Sequence, residues 1–309
     1  MADLISNDKL ANDVVYIRVA QQLINESLKA KEFSVPVHLA MGHEAIAVAV
    51  CHSMEKGDGI CLTHRNIHYN LALADTFTEE FSELKLQEGG VASGRLGSMN
   101  MDNPKKGIIY TSSILGNNLC VAAGASIGAV LSGSDDVIYA ASGDGAIEEG
   151  AFYESVELAR SQNAPFVLIV ENNGWSLGTR VDQRRCPIEL PDIAKAFDIP
   201  YFQLKGNNTY SYLEVLKNAR QISLLEKKPV LIETLITTLG SWVMKADEQT
   251  QGKFINYHHG PSPSVAAESG AIIAENDTDP VWVLGEQYGR DVIFNLANDI
   301  RTRLKSEIT

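Results

Sequence analysis

Four short runs in this 309-residue chain have the character of strands buried on both sides. Residues 166–170 are apolar from end to end, and 137–141, 201–204 and 230–237 are close to it. A strand with one wet face alternates apolar and polar residues, whereas a strand without that alternation needs cover on both faces. Between the runs lie stretches with helical periodicity. Residues 147–162 carry Phe152, Val156 and Ala159 on one side, residues 212–225 follow the third run, and the small apolar residues 119–132 suit a tightly packed helix. Strands alternating with helices predict an α/β fold, a parallel sheet with helices on both faces.

The flanks fit one domain over residues 1–309, with no internal repeat and no Pro/Ser linker. An N-terminal helix over about 8–30 carries Val14, Ile17, Ala20, Ile24 and Leu28 at three- and four-residue spacing. A C-terminal helix over about 281–308 carries Val292, Leu296, Ile300 and Leu304. Both need something to lie on, either the chain's own core or another subunit. Residues 42–54 read as a further helix, and 87–118, rich in Gly, Ser, Asn and Lys, as a long polar loop of functional kind. A formal net charge of −13 argues against a general nucleic-acid or anionic-membrane binder. No apolar run reaches the length of a membrane span. The first residues lack the layout of a signal peptide, and the four Cys form no C-x-x-C pair. A cytoplasmic chain with reduced thiols is expected.

In open α/β sheets, ligands bind outside the C-terminal strand ends. Two of those ends are unusual here. One run leads into Ser142-Gly143-Asp144-Gly145-Ala146 and a helix, and the next ends at Glu171-Asn172-Asn173-Gly174. A right-handed crossover brings Asp144 and Asn173 to the same edge, close together if their strands are neighbours. A carboxylate and an amide carbonyl are hard oxygen ligands suited to Mg²⁺ or Ca²⁺. Gly145 lets a phosphate approach the backbone, and a helix opening at Ala146 offers free N–H groups. Together they describe a site for a metal-bound diphosphate. Each element taken alone is equally a Gly-rich turn that such a sheet often contains. A dinucleotide fingerprint fails at Glu148, where a third Gly is needed, and no G-x-x-x-x-G-K-[ST] occurs. His64 and His68 are four apart, but the Glu of H-E-x-x-H is absent and Arg65 opposes a cation there.

Gly143-Asp144-Gly145, followed 29 residues after the Asp by Asn173, resembles the thiamin diphosphate motif. The wider chain resembles the alpha subunits of 2-oxo acid dehydrogenases of the pyruvate, branched-chain and acetoin types. The resemblance is carried by His38-Leu39-x-x-Gly42-x-Glu44-Ala45, Thr63-His64-Arg65, Gly97-Ser98-Met99, Ile114-Leu115-Gly116, the Asp144 segment, and Glu171-Asn172-Asn173 with Gly178-Thr179. It implies a thiamin diphosphate-binding fold in which Asp144, Asn173 and the Trp175 carbonyl hold Mg²⁺. Gly143, Gly145 and Ala146 would contact the diphosphate, with His64 and Arg65 in the place of a Tyr-Arg phosphate pair. Ser113 and Leu115 would meet the aminopyrimidine, and Leu115 would bend the cofactor. His38 would face the substrate as a catalytic histidine. Glu149 would be an acid between the two active sites of the assembly, although at the start of a helix it reads equally as a solvated residue.

The pattern departs from the family in two places. The usual Ser-Met-His-Met reads Ser98-Met99-Asn100-Met101, and the usual His-rich loop reads Thr237-Thr238-Leu239-Gly240-Ser241. Tyr257-His258-His259-Gly260-Pro261 follows later and looks more like transketolases, which makes His259 the replacement diphosphate ligand. The resemblance further implies a beta-type partner that supplies the pyrimidine-binding domain and the activating Glu, most simply in a heterotetramer. The implied reaction decarboxylates a 2-oxo acid and transfers the acyl or aldehyde unit, with a lipoyl-bearing acyltransferase as a further partner. The alternative is a split transketolase-like or acyloin-forming subunit that transfers a two-carbon unit between sugars.

Overall fold

A computed structural model of the chain describes residues 8–245 and 252–308, so the first residues, read above for a leader, lie outside it. In chain order the elements are α1 (Lys9–Lys29), α2 (Glu44–Ser53), β1 (Gly59–Thr63), α3 (Ile67–Leu73), α4 (Phe77–Leu84), β2 (Ile108–Ser112) and α5 (Asn117–Ser132). Then come β3 (Ile138–Gly143), α6 (Gly150–Ser161), β4 (Phe166–Asn172), a small hairpin of β5 (Trp175–Ser176) and β6 (Thr179–Arg180), α7 (Val181–Arg184), α8 (Leu190–Ala196), β7 (Tyr201–Leu204), α9 (Thr209–Glu226) and β8 (Val230–Leu235). A second hairpin of β9 (Trp242–Met244) and β10 (Lys253–Ile255) precedes α10 (Pro280–Tyr288) and α11 (Arg290–Ile308).

Six strands form one sheet in the order β2-β1-β3-β4-β8-β7, parallel at every pairing. The absence of polar alternation has the expected consequence. Along β4, Val167 and Ile169 join a core with α2 and α9, while Phe166, Leu168 and Val170 join a core with α5 and α6. β3 divides the same way, with Tyr139 and Ala141 on one face and Ile138 and Ala140 on the other.

Three features differ from the sequence reading. The stretch 87–118 is not loop throughout, since β2 runs through it as an edge strand. β1 is a further short strand beside it. The helix expected from Ile147 opens only at Gly150, after a 3₁₀ turn over Asp144–Glu148, so Ala146 does not stand at a helix N-terminus. The C-terminal helix is two helices parted at Gly289.

A third core lies beside the sheet, where α1 packs on α2, α10 and α11. The N-terminal helix is thus covered largely by its own chain. Inside it Arg18, fully buried, donates to Glu44 Oε1 at 2.7 Å and Oε2 at 3.0 Å, pairs with Asp279 at 2.9 Å and reaches the Ala271 carbonyl at 2.7 Å. Glu44 Oε2 also accepts the Gly42 N–H at 2.8 Å, and Gln21 Oε1 accepts the Ala40 N–H at 2.6 Å. The helix thereby fixes the turn that carries His38 and His43. Gly42 has φ +98°, and a Cβ there would stand 2.1 Å from the Thr237 carbonyl oxygen, so glycine lets that turn cross the exit of β8.

Removing Arg18 strands two buried carboxylates. Arg18→Met is expected to lower the unfolding free energy by roughly 3–5 kcal/mol in denaturant titration. A loss under about 1 kcal/mol, the range of an exposed pair, would contradict this account.

Candidate functional site

The chain leaves β1 toward β2 on one side and β3 toward β4 on the other, which makes the β1/β3 boundary the switch point where such sheets bind ligands. A cavity of about 330 Å³ opens there. Residues at or after the ends of β1 (His64, Arg65), β2 (Ser113, Leu115), β3 (Gly143, Asp144, Gly145, Ala146) and β4 (Asn173, Trp175) line it, together with His38 from the turn before α2. Of the residues singled out from sequence, two do not line it. Glu149 is an exposed residue capping α6, and His259 is exposed with its ring centroid 5.6 Å from that of His38, while its neighbour His258 is in the lining.

β3 and β4 are neighbours in register, with Gly143 opposite Glu171, so Asp144 and Asn173 leave adjacent strand tips. The Asp144 carboxylate is buried, and its Oδ2 pairs with Arg184 at 2.7 Å. Burial pushes its carboxyl up, opposed by the Arg184 guanidinium, and the net shift is upward. Asn173 turns back on its own chain, its Oδ1 accepting the Trp175 N–H at 3.0 Å. A Cβ on Gly145 would stand 3.0 Å from Ser176 Oγ, so any side chain there would crowd the β5 hairpin, and glycine leaves the backbone bare. A carboxylate and an amide oxygen at neighbouring strand tips, a bare backbone beside them and a half-open cavity fit a metal-bound diphosphate. Leu115, 41% exposed, is an apolar side chain kept at the cavity rather than in the core.

Imidazoles line the same cavity. His38 lies edge-on to His64, with ring centroids 4.8 Å apart, and to His258, at 5.0 Å. Burial, with Arg65 next, pushes His38 down to about 2, and the same causes push His64 and His258 down to about 4. All three are therefore neutral at pH 7. His38 Nδ1 is buried without a partner. Arg65, expected as a phosphate clamp, donates to the Leu39 carbonyl and to the His258 carbonyl at 3.0 Å, which ties the turn before α2 to the segment after β10.

Sequence reading gives no role to Arg184, His258, Glu171 or Thr238, although Glu171 opens the Asn173 segment. His258 had a signal in its neighbour, and Arg184 in the basic pair Arg184-Arg185. Thr238 had none.

The architecture is the thiamin diphosphate-binding α/β fold. Transketolase from Leishmania mexicana superposes with a TM-score of 0.60 at 16% identity, covering 97% of this chain and 45% of that one. Transketolase from Pichia stipitis gives 0.63 at 17%, covering 96% and 46%. Residues 11–253 match the family described as Dehydrogenase E1 component, and the chain belongs to that family. Among its relatives is the alpha subunit of acetoin:2,6-dichlorophenolindophenol oxidoreductase from Cupriavidus necator, 33% identical over 201 residues, covering 63% of this chain and 60% of the relative. The pyruvate dehydrogenase E1 component alpha subunit of Rhizobium meliloti is 28% identical, covering 64% and 57%. The chain thus spans about 60% of the length of these relatives. Among the described residues, no helix is long and apolar enough to cross a membrane.

The depressed histidines set a pH dependence. Between the usual 6.5 and about 4, the unfolded chain binds protons at His64 and His258 that the folded chain does not. Their share of stability is whole above about pH 6.5 and is lost as pH falls toward 4. The melting temperature is expected to drop from pH 7 to 5, and less steeply in His64→Asn/His258→Asn. An equal slope in both proteins would contradict this.

Proposed function

We propose that this chain is the diphosphate-binding alpha half of a heteromeric thiamin-diphosphate enzyme acting on a 2-oxo acid or a related carbonyl. The observation that carries the reading is the convergence of Asp144, Gly145 and Asn173 on one cavity at neighbouring strand tips. Asp144, the Asn173 oxygen and the Trp175 carbonyl would hold Mg²⁺, and the backbone at Gly143, Gly145 and Ala146 would admit the diphosphate. Asp144 already has a cationic partner in Arg184, so metal binding exchanges one positive neighbour for another. Ser113 and Leu115 would meet the pyrimidine, while His64 and Arg65 close the diphosphate end. When bound, the cofactor supplies a nucleophilic carbon and an electron sink for cleaving a bond beside a carbonyl. His38, neutral and with an unused ring nitrogen, is placed to hold a carbonyl oxygen or pass it a proton.

The rest of the enzyme comes from a partner. A beta-type chain would bring the pyrimidine-binding domain and the activating Glu, in a heterotetramer within which Glu149 lies between sites. A lipoyl-bearing acyltransferase would take the acyl unit, in the cytoplasm. A second reading, ketol transfer between sugars, is favoured by His258, which adds a third neutral imidazole to the cavity beside His38 and His64.

Calorimetry tests the cofactor assignment. Thiamin diphosphate is expected to bind with Mg²⁺ and not with a chelator, and Asp144→Ala is expected to abolish the metal-dependent component while the melting curve stays cooperative. Unchanged affinity in Asp144→Ala would refute the assignment. With the partner present, turnover of 2-oxo acids to an artificial electron acceptor supports the first reading, and turnover of a ketose phosphate alone replaces it with the second.

A further inference from the structure

Behind the cavity wall a chain of buried polar groups ends on Asn173. Its Nδ2 donates to Thr238 Oγ1 at 2.8 Å, and the Trp175 N–H donates to its Oδ1 at 3.0 Å. A backbone N–H only donates, so it fixes which end of the amide is oxygen. Thr238 Oγ1 accepts from Asn173 and keeps its own hydrogen for His43 Nε2, 2.8 Å away. Burial holds His43 neutral. With Nε2 accepting, the ring hydrogen sits on Nδ1 and is donated to Glu171 Oε2 at 2.6 Å. Glu171 Oε1 in turn accepts from the Tyr69 hydroxyl at 2.5 Å and from His68 Nε2 at 3.1 Å. All five side chains behind Asn173 are buried. The backbone is locked too, because the Leu239 N–H donates to the Met41 carbonyl at 2.7 Å, beside the contact that only Gly42 allows.

We infer that Thr238 and His43 are positioning residues whose directed hydrogen bonds keep the oxygen of the Asn173 amide, and not its NH₂, available to the divalent ion. This rests on the reading of Asn173 as an ion ligand. An amide binds a hard cation only through oxygen, and a flipped amide would present two hydrogens to it. Partners one layer behind a ligand set its orientation in this way, and losing them typically costs about 10–100-fold in metal affinity. The competing account makes the cluster a staple between α2, α3, β4 and the segment after β8. A staple would change stability and leave the affinity for the ion where it was.

The test is Thr238→Val, similar in shape but without the hydroxyl, beside Thr238→Ser. In the full chain, calorimetry with thiamin diphosphate at varied Mg²⁺ is expected to show affinity weakened roughly tenfold or more in Thr238→Val and restored by Ser to within about twofold of wild type. A wild-type affinity in the Val variant, or no rescue by Ser, overturns the inference while the cofactor assignment stands. A wild type that takes up no thiamin diphosphate overturns both. Should the Val variant fail to fold, ¹⁵N NMR of the wild-type imidazoles decides in the ligand-free chain. Protonated Nδ1 and bare Nε2 on His43 support the relay, and the opposite tautomer overturns it.

Discussion

The pairing of β3 with β4 is the constraint on which the site depends. Six parallel hydrogen-bonded steps, from Ile138 opposite Phe166 to Gly143 opposite Glu171, bring two strand ends out side by side. A one-residue slip of either strand would send each of its side chains into the opposite core, whose shape it does not match. The register that packs Val167, Ile169, Tyr139 and Ala141 into one core also places Asp144 beside the Asn173 turn. Core packing and cavity geometry are therefore set together, because the apolar strands end where the polar residues of the cavity begin.

Around that pairing the chain invests in buried charge where apolar packing cannot hold a turn. Arg18 with Glu44 and Asp279 braces the segment that carries His38 and His43. Arg65 ties the same segment to His258. Glu83, buried, accepts from the backbone of Ala92, Gly94, Leu96 and Gly97 and shapes the Gly-rich stretch before β2. Such groups cost desolvation and return it only when every partner is present. In exchange they hold irregular backbone, which a cavity wall built from loops requires.

The parts legible in sequence are those whose physics is local. The apolar run of β4 signals a buried strand, and Gly143-Asp144-Gly145 marks the turn by which β3 reaches the cavity. β1 and β2 escaped because neither signals itself. β1 is five residues behind a turn, and β2 is a half-buried edge strand embedded among glycines. The helix start at Gly150 was misplaced by periodicity, which does not distinguish a 3₁₀ turn from the first turn of an α-helix. The residues missed at the site are those brought by long-range contact. Arg184 meets Asp144 across 40 residues, and Thr238 meets Asn173 across 65. His258 rather than His259 faces the cavity because Arg65 anchors that segment, a fact of tertiary structure with no trace in a His-His pair.

The cavity offers hard oxygen donors, bare backbone and neutral imidazoles, with Leu115, exposed and apolar, in the same lining. The most direct measurement is anomalous diffraction from crystals of the chain grown with thiamin diphosphate and Mn²⁺. The account predicts one strong manganese peak within coordination distance of Asp144 and the Asn173 oxygen, with Arg184 moved off the carboxylate. A peak elsewhere, or Arg184 still paired to Asp144 with cofactor present, would contradict it.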